Sequence, residues 1–306
     1  MKKQVCAFCA VIILFVCSFP GITAELVNNV AVQQKSVQQK SAGCGRPVPD
    51  TPPTAVTVDG RQRDIIAVVP TDYRPDQPHN LVLAFHGRTN SNADVRRYFD
   101  LERHATEPTI FVYPASLQDQ HGLNAWADPD DKPESLRDFR LFDAVLDVMS
   151  EAYCVDAGRV FVVGHSLGAS FANSLACARG NAIRGLASVG GGMTRVSQCS
   201  GPVAAMVMHN PRDAQVPIAE GLRVRRSLLA QDNLPGGSAP DLPQRFNCRR
   251  YGPESEQNPV LWCPLADDWT ASGRFYPHQW PAGTGEAVMA FFAGLGQLPE
   301  AYGFDP

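Results

Sequence analysis

The residue with the clearest chemical potential is Ser166, which lies between two glycines in the segment Gly164-His-Ser-Leu-Gly168. An apolar run, residues 160–163, precedes this G-x-S-x-G motif, and an alanine-rich stretch that predicts a helix over residues 166–178 follows it. In that context the serine occupies a sharp strand-to-helix turn, where the glycines leave room for neighbouring backbone. The hydroxyl would then project at the helix N-terminus as a nucleophile. The simpler interpretation is an ordinary glycine-rich β–α turn.

A serine nucleophile needs a base to remove its proton, and histidine is the side chain suited to that role. Only His209 and His278 follow Ser166 far enough along the chain for the order serine, acid, histidine. His209 ends a predicted strand, and no acid at a strand end lies between it and the serine. His278 lies in a Pro/Gly-rich loop just before the last predicted helix. We therefore predict that His278 is the base.

The acid that orients the base should follow an earlier strand of the sheet. Residues 204–208 predict such a strand, and Asp213 comes shortly after its end. Asp267 and Asp268 are the alternatives, but they lie close to His278 in the sequence. We predict that Asp213 holds the imidazole in one tautomer and stabilises its protonated form.

The tetrahedral intermediate of such chemistry carries an oxyanion, which needs backbone N–H donors. One predicted donor is the amide of Leu167, the residue after the nucleophile. The other should come from the loop after the early apolar run 81–85, where the Arg88 amide is favoured and the Thr89 amide is the alternative. The preceding His86-Gly87 pair is expected to shape the turn.

The elements that must position these residues are short apolar strands alternating with amphipathic helices. A hairpin is predicted at Asp59-Gly60, and apolar residues between 136 and 149 repeat at helical spacing. Such alternation predicts an α/β fold with a mostly parallel central sheet and helices on both faces, whose sites lie beyond the carboxyl ends of the strands. The predicted strands are residues 55–58, 64–69, 81–85, 110–113, 160–163, 186–189, 204–208 and 260–262, and the other predicted helices are residues 166–178, 218–231 and 284–295.

The N-terminus has the pattern of an export signal. Two lysines precede an almost purely apolar stretch, residues 5–19, and the predicted cleavage follows Ala24. Lipidation at Cys17 is the alternative, but Val16 precedes it where a small residue is usual. Residues 1–24 are therefore the expected signal peptide. No later stretch is apolar enough to span a membrane, so we expect no stable membrane association after cleavage.

Composition is that of a globular chain behind a short linker. Residues 25–43 contain a polar tandem repeat, Val-Gln-Gln-Lys-Ser, and predict a flexible linker ahead of one catalytic domain over residues 44–306. The 306 residues are 44% hydrophobic and 19% charged, enough for one large core or two small ones. The formal net charge is −4 and no basic stripe is present, so we expect no nucleic-acid partner.

Cysteine usage supports the exported interpretation. Three of the nine cysteines precede the predicted cleavage site, and an even number remains. In an exported chain this predicts disulfides, with free buried thiols as the alternative. Among the cysteines that remain, metal-binding spacing such as C-x-x-C is absent, and we expect neither a metal nor a cofactor. The remaining cysteines are Cys44, Cys154, Cys177, Cys199, Cys248 and Cys263.

Together these motifs resemble the secreted feruloyl esterase and poly(3-hydroxybutyrate) depolymerase-like group of α/β-hydrolases, over about residues 42–295. The chain departs from that group's usual pattern at Asn210-Pro211, Pro277 and Ala169, where a glycine is common. The departures spare Ser166 and its two predicted partners but bear on the substrate. The matching segments are Ala42-Gly-Cys-Gly45, Leu83-Ala-Phe-His-Gly87, Tyr153-Cys-Val-Asp-Ala-Gly-Arg-Val160, Asp213-Ala-Gln-Val-Pro217 and His278-Gln-Trp-Pro281.

The resemblance implies a secreted serine carboxylic-ester hydrolase, extracellular or periplasmic, that forms an acyl-enzyme on feruloyl or related esters of plant cell-wall polysaccharide. A depolymerase of 3-hydroxyalkanoate polyesters, a peptidase and a non-catalytic polymer-binding protein are the alternatives. The expected partner is an ester substrate, which could be polymeric. The resemblance also implies three disulfides, Cys44–Cys154, Cys177–Cys199 and Cys248–Cys263.

Two tryptophans are the candidate substrate-binding residues. Trp280 lies two residues after His278, and Trp126 follows the predicted strand 110–113 at the functional edge of the sheet. Either ring could stack on a phenolic acid or a sugar. Packing between loops is the alternative for both.

Overall fold

Twelve strands and five α-helices alternate along the part of the chain that the computed structural model describes, residues 39–127, 136–193, 198–241 and 243–296. The strands are β1 (Ala55–Val58), β2 (Arg61–Val68), β3 (His79–Phe85), β4 (Thr109–Pro114), β5 (Leu117–Gln118), β6 (Asn124–Ala125), β7 (Val155–His165), β8 (Gly185–Val189), β9 (Ala204–His209), β10 (Ser238–Pro240), β11 (Arg249–Tyr251) and β12 (Val260–Pro264). The helices are α1 (Asn92–Phe99), α2 (Arg137–Ala152), α3 (Leu167–Ala178), α4 (Ile218–Gln231) and α5 (Thr284–Ala293).

Ten strands form one sheet in the order β1-β2-β4-β3-β7-β8-β9-β12-β11-β10. From β4 to β12 all neighbours are parallel. The ends are antiparallel: β2 pairs with both β1 and β4, and β11 pairs with both β10 and β12. The short strands β5 and β6 form a separate hairpin. The predicted mostly parallel sheet is confirmed, and β7, which precedes Ser166, lies at its centre.

Helices cover both faces of the sheet. Leu81 and Leu83 of β3 belong to a core that includes side chains of α2, α3 and α4, whereas Val82 and Ala84 belong to a second core with α1 and α5. The central strands are apolar on both sides because neither face of a covered parallel sheet meets water. None of the described helices combines the length and apolarity needed to cross a membrane bilayer.

Each strand and helix expected from the apolar pattern is present, and the hairpin turn at Asp59-Gly60 has positive φ angles of 50° and 74°. The pattern does not predict α1, the hairpin of β5 and β6, or the edge strands β10 and β11. Those strands have only two or three residues each, too few for periodicity to be visible. Helix α1 buries only Val95 and Phe99, but it begins with a capping box between Ser91 and Asp94 that is a recognisable local signal.

Backbone contacts with the domain begin earlier than the predicted start at residue 44. The carbonyl of Gln39 accepts a hydrogen bond from the Ala157 amide at 2.8 Å, and the Ser41 amide donates to the Val155 carbonyl at 3.0 Å. The start of β7 thus offers hydrogen-bonding groups that hold residues 39–41, a contact that their polar sequence does not reveal. The predicted signal peptide and the rest of the predicted linker lie outside the described residues.

The structure contains the disulfides Cys44–Cys154, Cys177–Cys199 and Cys248–Cys263. These are the same three pairs that the family resemblance implies. The first joins the N-terminal segment to the start of β7, the second joins the end of α3 to the loop before β9, and the third joins β12 to the turn before β11. Each bond therefore closes a connection around the parallel centre of the sheet.

Asp232, just after α4, has a side chain whose surroundings disfavour the ionised carboxylate. One carboxylate oxygen accepts a hydrogen bond from the Val203 amide at 3.0 Å, but the other is buried without a hydrogen-bond partner. Burial, with a smaller contribution from the charge of Glu256, raises the pKa of Asp232 to about 7. The helix C-terminus beside it also disfavours negative charge. The folded protein therefore holds a proton on Asp232 that the unfolded chain releases in mild acid.

We expect Asp232→Asn to stabilise the fold, and to do so increasingly as pH rises. Asparagine keeps an oxygen for the Val203 amide and places N–H groups where the unpaired oxygen lies. The unfolded carboxyl loses its proton near pH 3.9, so the wild type loses stability relative to the variant between about pH 4 and pH 7. The gain in unfolding free energy should be small at pH 4 and reach about 1–3 kcal/mol at pH 7.5.

Chemical denaturation of both proteins between pH 4 and pH 8 measures this difference. Asp76→Asn is the control, because Asp76 is exposed and its hydrogen bond with Arg74 lowers its pKa. That replacement has no reason to give a gain that grows with pH. A pH-independent difference for Asp232→Asn would contradict the protonated carboxyl.

Candidate active site

Ser166 occupies the one-residue turn between β7 and α3. Its backbone has φ 58° and ψ −124°, a conformation that residues other than glycine rarely adopt. The Ser166 amide donates to the Val189 carbonyl of β8 at 2.9 Å, and its carbonyl accepts from the Ser170 amide in the first turn of α3 at 3.0 Å. The turn is therefore held from both sides, and it places the hydroxyl beyond the carboxyl end of the central strand.

The two glycines of the motif allow this turn to pack. A Cβ atom on Gly164 would lie 2.3 Å from the carbonyl oxygen of Gly168, and one on Gly168 would lie 2.2 Å from the carbonyl oxygen of Phe85. Both distances are far below van der Waals contact and involve backbone, which has little room to shift. The start of α3 therefore rests directly against the ends of β7 and β3, the close approach that the sequence predicts.

Ser166, His278 and Asp213 lie in one hydrogen-bonded series. The Ser166 Oγ atom is 2.7 Å from Nε2 of His278, and Nδ1 of His278 is 2.5 Å from Oδ2 of Asp213. Both His278 and Asp213 are buried, at 4% and 5% exposure. With the imidazole proton on Nδ1, directed at the carboxylate, Nε2 is free to accept the serine proton.

Asp213 is fixed by the loop that follows β9. Its Oδ1 atom accepts hydrogen bonds from the amides of Gln215 and Val216 at 2.8 and 2.9 Å, which leaves Oδ2 for His278. Burial opposes ionisation of this carboxyl, but the hydrogen bonds from His278 and from the two amides outweigh it, so the pKa of Asp213 lies below its usual value. The group is therefore a carboxylate when the imidazole needs a negative partner.

A third glycine makes room for the buried pair. Gly190, at the end of β8, has φ +61°, and a Cβ atom there would lie 3.2 Å from Nδ1 of His278 and 3.4 Å from Oδ2 of Asp213. The sequence analysis does not single out this position. The run of three glycines directly after β8 is the signal that could have revealed it.

The rival residues are engaged elsewhere. Asp268 pairs with Arg212 at 2.6 Å, and Asp267 pairs with Arg245 at 3.0 Å. His209 donates from Nε2 to the Val216 carbonyl at 2.8 Å, so it supports the loop that carries the acid. Of the candidate acids, Asp213 is the one in hydrogen-bond contact with the His278 ring.

A second imidazole lies beside the first. The ring of His165 is 5.3 Å from that of His278, and its Nδ1 atom is 3.0 Å from the Tyr98 hydroxyl. Burial, reinforced by the nearby His278, lowers the pKa of His165 to about 3, while burial raises the pKa of Tyr98. His165 is thus a neutral neighbour that accepts a hydrogen bond from Tyr98. Neither residue was predicted, because their contact links α1 to the end of β7.

The predicted oxyanion donors flank the serine. Leu167 is the first residue of α3, where an amide has no intrahelical acceptor. A Cβ atom on Gly87 would lie 3.3 Å from Cβ of Ser166, so the loop that contains Arg88 and Thr89 passes directly beside the nucleophile. The Arg88 side chain pairs with Asp119 at 2.6 Å. The choice between the amides of Arg88 and Thr89 remains a prediction.

His86 and Trp126 support the loop that contains Arg88 and Thr89. His86 donates from Nδ1 to the Gly87 carbonyl at 2.8 Å and accepts from the Ser116 amide at Nε2, at 3.0 Å. Burial lowers its pKa, which favours this neutral form. The Trp126 indole N–H donates to the His86 carbonyl at 2.8 Å, and its ring stacks on Phe171. Trp126 is only 8% exposed and packs this loop, the alternative that the sequence left open for it, so its contact with a substrate stays a prediction.

Trp280 is partly buried, two residues after His278. One face of its ring stacks on Phe99, with centroids 3.9 Å apart and planes at 14°. Its edge approaches Tyr98 and His165 at 6.4 and 6.3 Å. One ring face is therefore already used for packing, and its contact with substrate stays a prediction.

No group of three or more potential metal ligands occurs among the described residues.

Sequence comparison identifies relatives of this chain among fungal feruloyl esterases. The chain is 28% identical over 202 residues to feruloyl esterase C of Emericella nidulans, a match that covers 63% of this chain and 69% of the relative. It is 30% identical over 203 residues to feruloyl esterase D of Neurospora crassa, covering 60% and 66%. These alignments span about two thirds of each relative. No protein-family model matches the chain.

Structural comparison identifies the fold. The acetyl xylan esterase from Aspergillus awamori superposes with a TM-score of 0.55 at 14% identity, over 76% of this chain and 94% of that one. The Bacillus cereus carboxylesterase superposes with a TM-score of 0.52 at 14% identity, over 76% and 93%. At this level of identity the likeness bears on the fold alone. The fold is that of the α/β-hydrolases, as predicted from the sequence.

The geometry predicts that Ser166 reacts with a fluorophosphonate, which traps activated serines. Ser166→Ala should form no adduct, and Asp213→Asn should react about three orders of magnitude more slowly, because the amide cannot stabilise the imidazolium. Intact-mass spectrometry over time measures the rate. Asp268→Asn is the matched comparison and should slow labelling far less, and the reverse order for the two variants would place the acid at Asp268.

Proposed function

We propose that this chain, an esterase of the α/β-hydrolase fold and a distant homologue of the fungal feruloyl esterases, releases ferulic or related phenolic acids from esters of plant cell-wall polysaccharide. The observation that carries ester hydrolysis is the continuous Ser166–His278–Asp213 series, with contacts of 2.7 and 2.5 Å. Homology at about 29% supports the choice of phenolic acyl group. A second class of substrate has no comparable support.

Acylation follows from the positions of the three side chains. His278 removes the Ser166 proton through Nε2 as Oγ attacks the ester carbonyl, and the Asp213 carboxylate stabilises the imidazolium that forms. The amides of Leu167 and Arg88 receive the negative charge that develops on the carbonyl oxygen. His278 then protonates the departing alcohol oxygen, and the acid remains bound to Ser166 as an ester.

Deacylation repeats the same steps with water as the nucleophile. His278 takes a proton from water, the tetrahedral intermediate forms again at the same donors, and Ser166 leaves with the proton returned by His278. The neutral state of His165 suits this cycle, because a charged imidazole 5.3 Å away would oppose the positive charge on His278.

Aromatic rings near the base support the phenolic acyl group. Trp280 follows His278 by two residues, stacks on Phe99 and lies 6.3 Å from the ring of His165. A planar group gains about 0.5–1.5 kcal/mol beyond area burial for each aromatic pair that it forms. A 3-hydroxybutyrate unit is aliphatic and branched and gains less from these surfaces.

Export is part of the proposal. The three disulfides support it, because such bonds persist in secreted proteins and are rare in reducing compartments. The expected signal peptide at residues 1–24 would deliver the chain to that environment, extracellular or periplasmic. The mature protein should then begin at residue 25, directly after Ala24, and N-terminal sequencing of the secreted protein tests this.

We expect methyl ferulate to be hydrolysed with a kcat/KM about two- to tenfold above that of a 3-hydroxybutyrate dimer, the preference that one aromatic contact supplies. Trp280→Ala should narrow this ratio, and Trp280→Phe should keep most of it. Initial rates on both esters, with product quantified by chromatography, give the ratio for each protein.

Three outcomes would count against parts of this proposal. A wild type that prefers the dimer acts as a polyesterase. Faster cleavage of a peptide anilide than of methyl ferulate indicates a peptidase. If Trp280→Ala lowers kcat/KM on both esters by the same factor, the ring supports the His278 loop through Phe99 and does not contact the acyl group.

A further inference from the structure

Residues 268–276, which immediately precede the catalytic loop, form a hairpin that we term the aromatic hairpin. Trp269 and Phe275 pair across it, with ring centroids 5.2 Å apart in an edge-to-face arrangement. Their side chains are 63% and 49% exposed, and they are the only aromatic members of the exposed large apolar residues in the described ranges. Paired exposed aromatic rings of this kind mark interaction sites.

Hydrogen bonds within the aromatic hairpin hold its shape in the absence of a ligand. The Tyr276 amide donates to the Asp268 carbonyl at 2.7 Å, and the Thr270 amide donates to the Arg274 carbonyl at 2.8 Å. Gly273 closes the turn with φ +79°, a value that favours glycine. The rings are therefore displayed on ordered backbone, so binding loses little conformational entropy.

The base of the aromatic hairpin is attached to both catalytic loops. The Asp268 carboxylate accepts a hydrogen bond from the Asn210 side-chain Nδ2 at 3.1 Å and pairs with Arg212, and both residues lie in the loop that carries the catalytic acid. Gln279, the neighbour of His278, donates to the Asp267 carbonyl at 2.8 Å. The two aspartates that the sequence offers as alternative acids thus anchor the aromatic hairpin at the rim of the active site.

The catalytic step determines which part of a substrate reaches this rim. His278 protonates the leaving alcohol oxygen, so the sugar that bears this oxygen must emerge beside the His278 loop. The aromatic hairpin ends at Tyr276, two residues before His278, and the two rings are 6.1 Å apart. A polymer attached to the leaving oxygen would therefore extend toward Trp269 and Phe275.

Arg274 adds polar chemistry to the same surface. Its guanidinium lies over the Tyr276 ring, 4.4 Å from the centroid, and its side chain is exposed. No carboxylate pairs with it among the residues that the structure describes. It therefore has N–H donors available for hydroxyl or carboxylate oxygens, beside rings that can cover the apolar face of a sugar.

We propose that the aromatic hairpin is a binding platform for sugar rings of the polysaccharide on the leaving-group side of the ester. Trp269 and Phe275 stack on the sugar faces, and Arg274 hydrogen bonds to their oxygen atoms. This inference rests on the proposed function, because it assigns the alcohol half of the same substrate. Neutral and uronic-acid polysaccharides both present sugar rings to the two aromatic side chains. Only the uronic acids also present a carboxylate, which Arg274 would bind.

The first experiment compares two substrates that have the same acyl group. In Trp269→Ala and in the double variant with Phe275→Ala, the ratio of kcat/KM on feruloylated arabinoxylan oligosaccharide to that on methyl ferulate should fall at least fivefold, mainly through KM. Trp269→Phe should retain most of the ratio, because a ring remains. Val48→Ala removes another exposed apolar side chain, 45% exposed and outside the site, and should leave the ratio unchanged.

The second experiment measures binding without turnover. Ser166→Ala protein should co-sediment with insoluble arabinoxylan, and adding Trp269→Ala should abolish this, while thermal unfolding verifies that each variant is folded. A parallel assay with polygalacturonate tests whether the platform binds uronic acids. If the Ser166→Ala protein co-sediments with polygalacturonate and adding Arg274→Ala abolishes this binding, the platform recognises uronic acids.

Two results would overturn the platform and leave the esterase assignment intact. One is an unchanged substrate ratio in the double variant while methyl ferulate is still hydrolysed. The other is a wild-type dimer that Trp269→Ala converts to a monomer in light scattering, which would make the aromatic hairpin a contact between two copies. Failure of the wild type to hydrolyse methyl ferulate would reject the proposed function, and the sedimentation assay would still decide whether the platform binds polysaccharide.

Discussion

The left-handed backbone of Ser166 is the constraint on which the rest of the site depends. A residue with φ 58° and ψ −124° persists only where its surroundings hold it, and here they are the Val189 carbonyl, the first turn of α3 and the backbone of Phe85 pressed against Gly168. Because those contacts come from β8, α3 and β3, the turn is held in place by the centre of the sheet. The strained turn in return directs the hydroxyl away from the sheet, toward loops that follow other strands.

Burial sorts the histidines around this serine into separate roles. His86, His165 and His209 all have lowered pKa values because the surrounding protein disfavours their charged forms. Each is bound as a neutral hydrogen-bonding group, to the loop beside the nucleophile, to Tyr98 and to the acid loop respectively. His278 differs in having a carboxylate on Nδ1 and the serine on Nε2.

The sequence predicted those parts of the site that depend on local pattern and chain order. The G-x-S-x-G segment encodes its own turn, and the order of strands limits which acid and histidine can reach it, so Ser166, Asp213 and His278 could be selected before any contact was known. The contact between Tyr98 and His165 joins distant elements through side chains, and no local pattern reports it. The same holds for the pairing of residues 39–41 with β7, because a polar repeat does not indicate that backbone groups elsewhere in the fold will bind it.

Tryptophan shows why residue type and position in sequence do not determine a binding role. A ring can stack on a ligand only with a face that the protein has left uncovered. Trp126 lies against Phe171 and is nearly buried, and Trp280 uses one face on Phe99, so both contribute to the placement of loops. Trp269 has neither the motif context of Trp280 nor the strand-end position of Trp126, yet it is 63% exposed. The same aromatic chemistry thus occurs in two settings: the rings of Trp126 and Trp280 pack the loops around Ser166, whereas the ring of Trp269 is largely exposed.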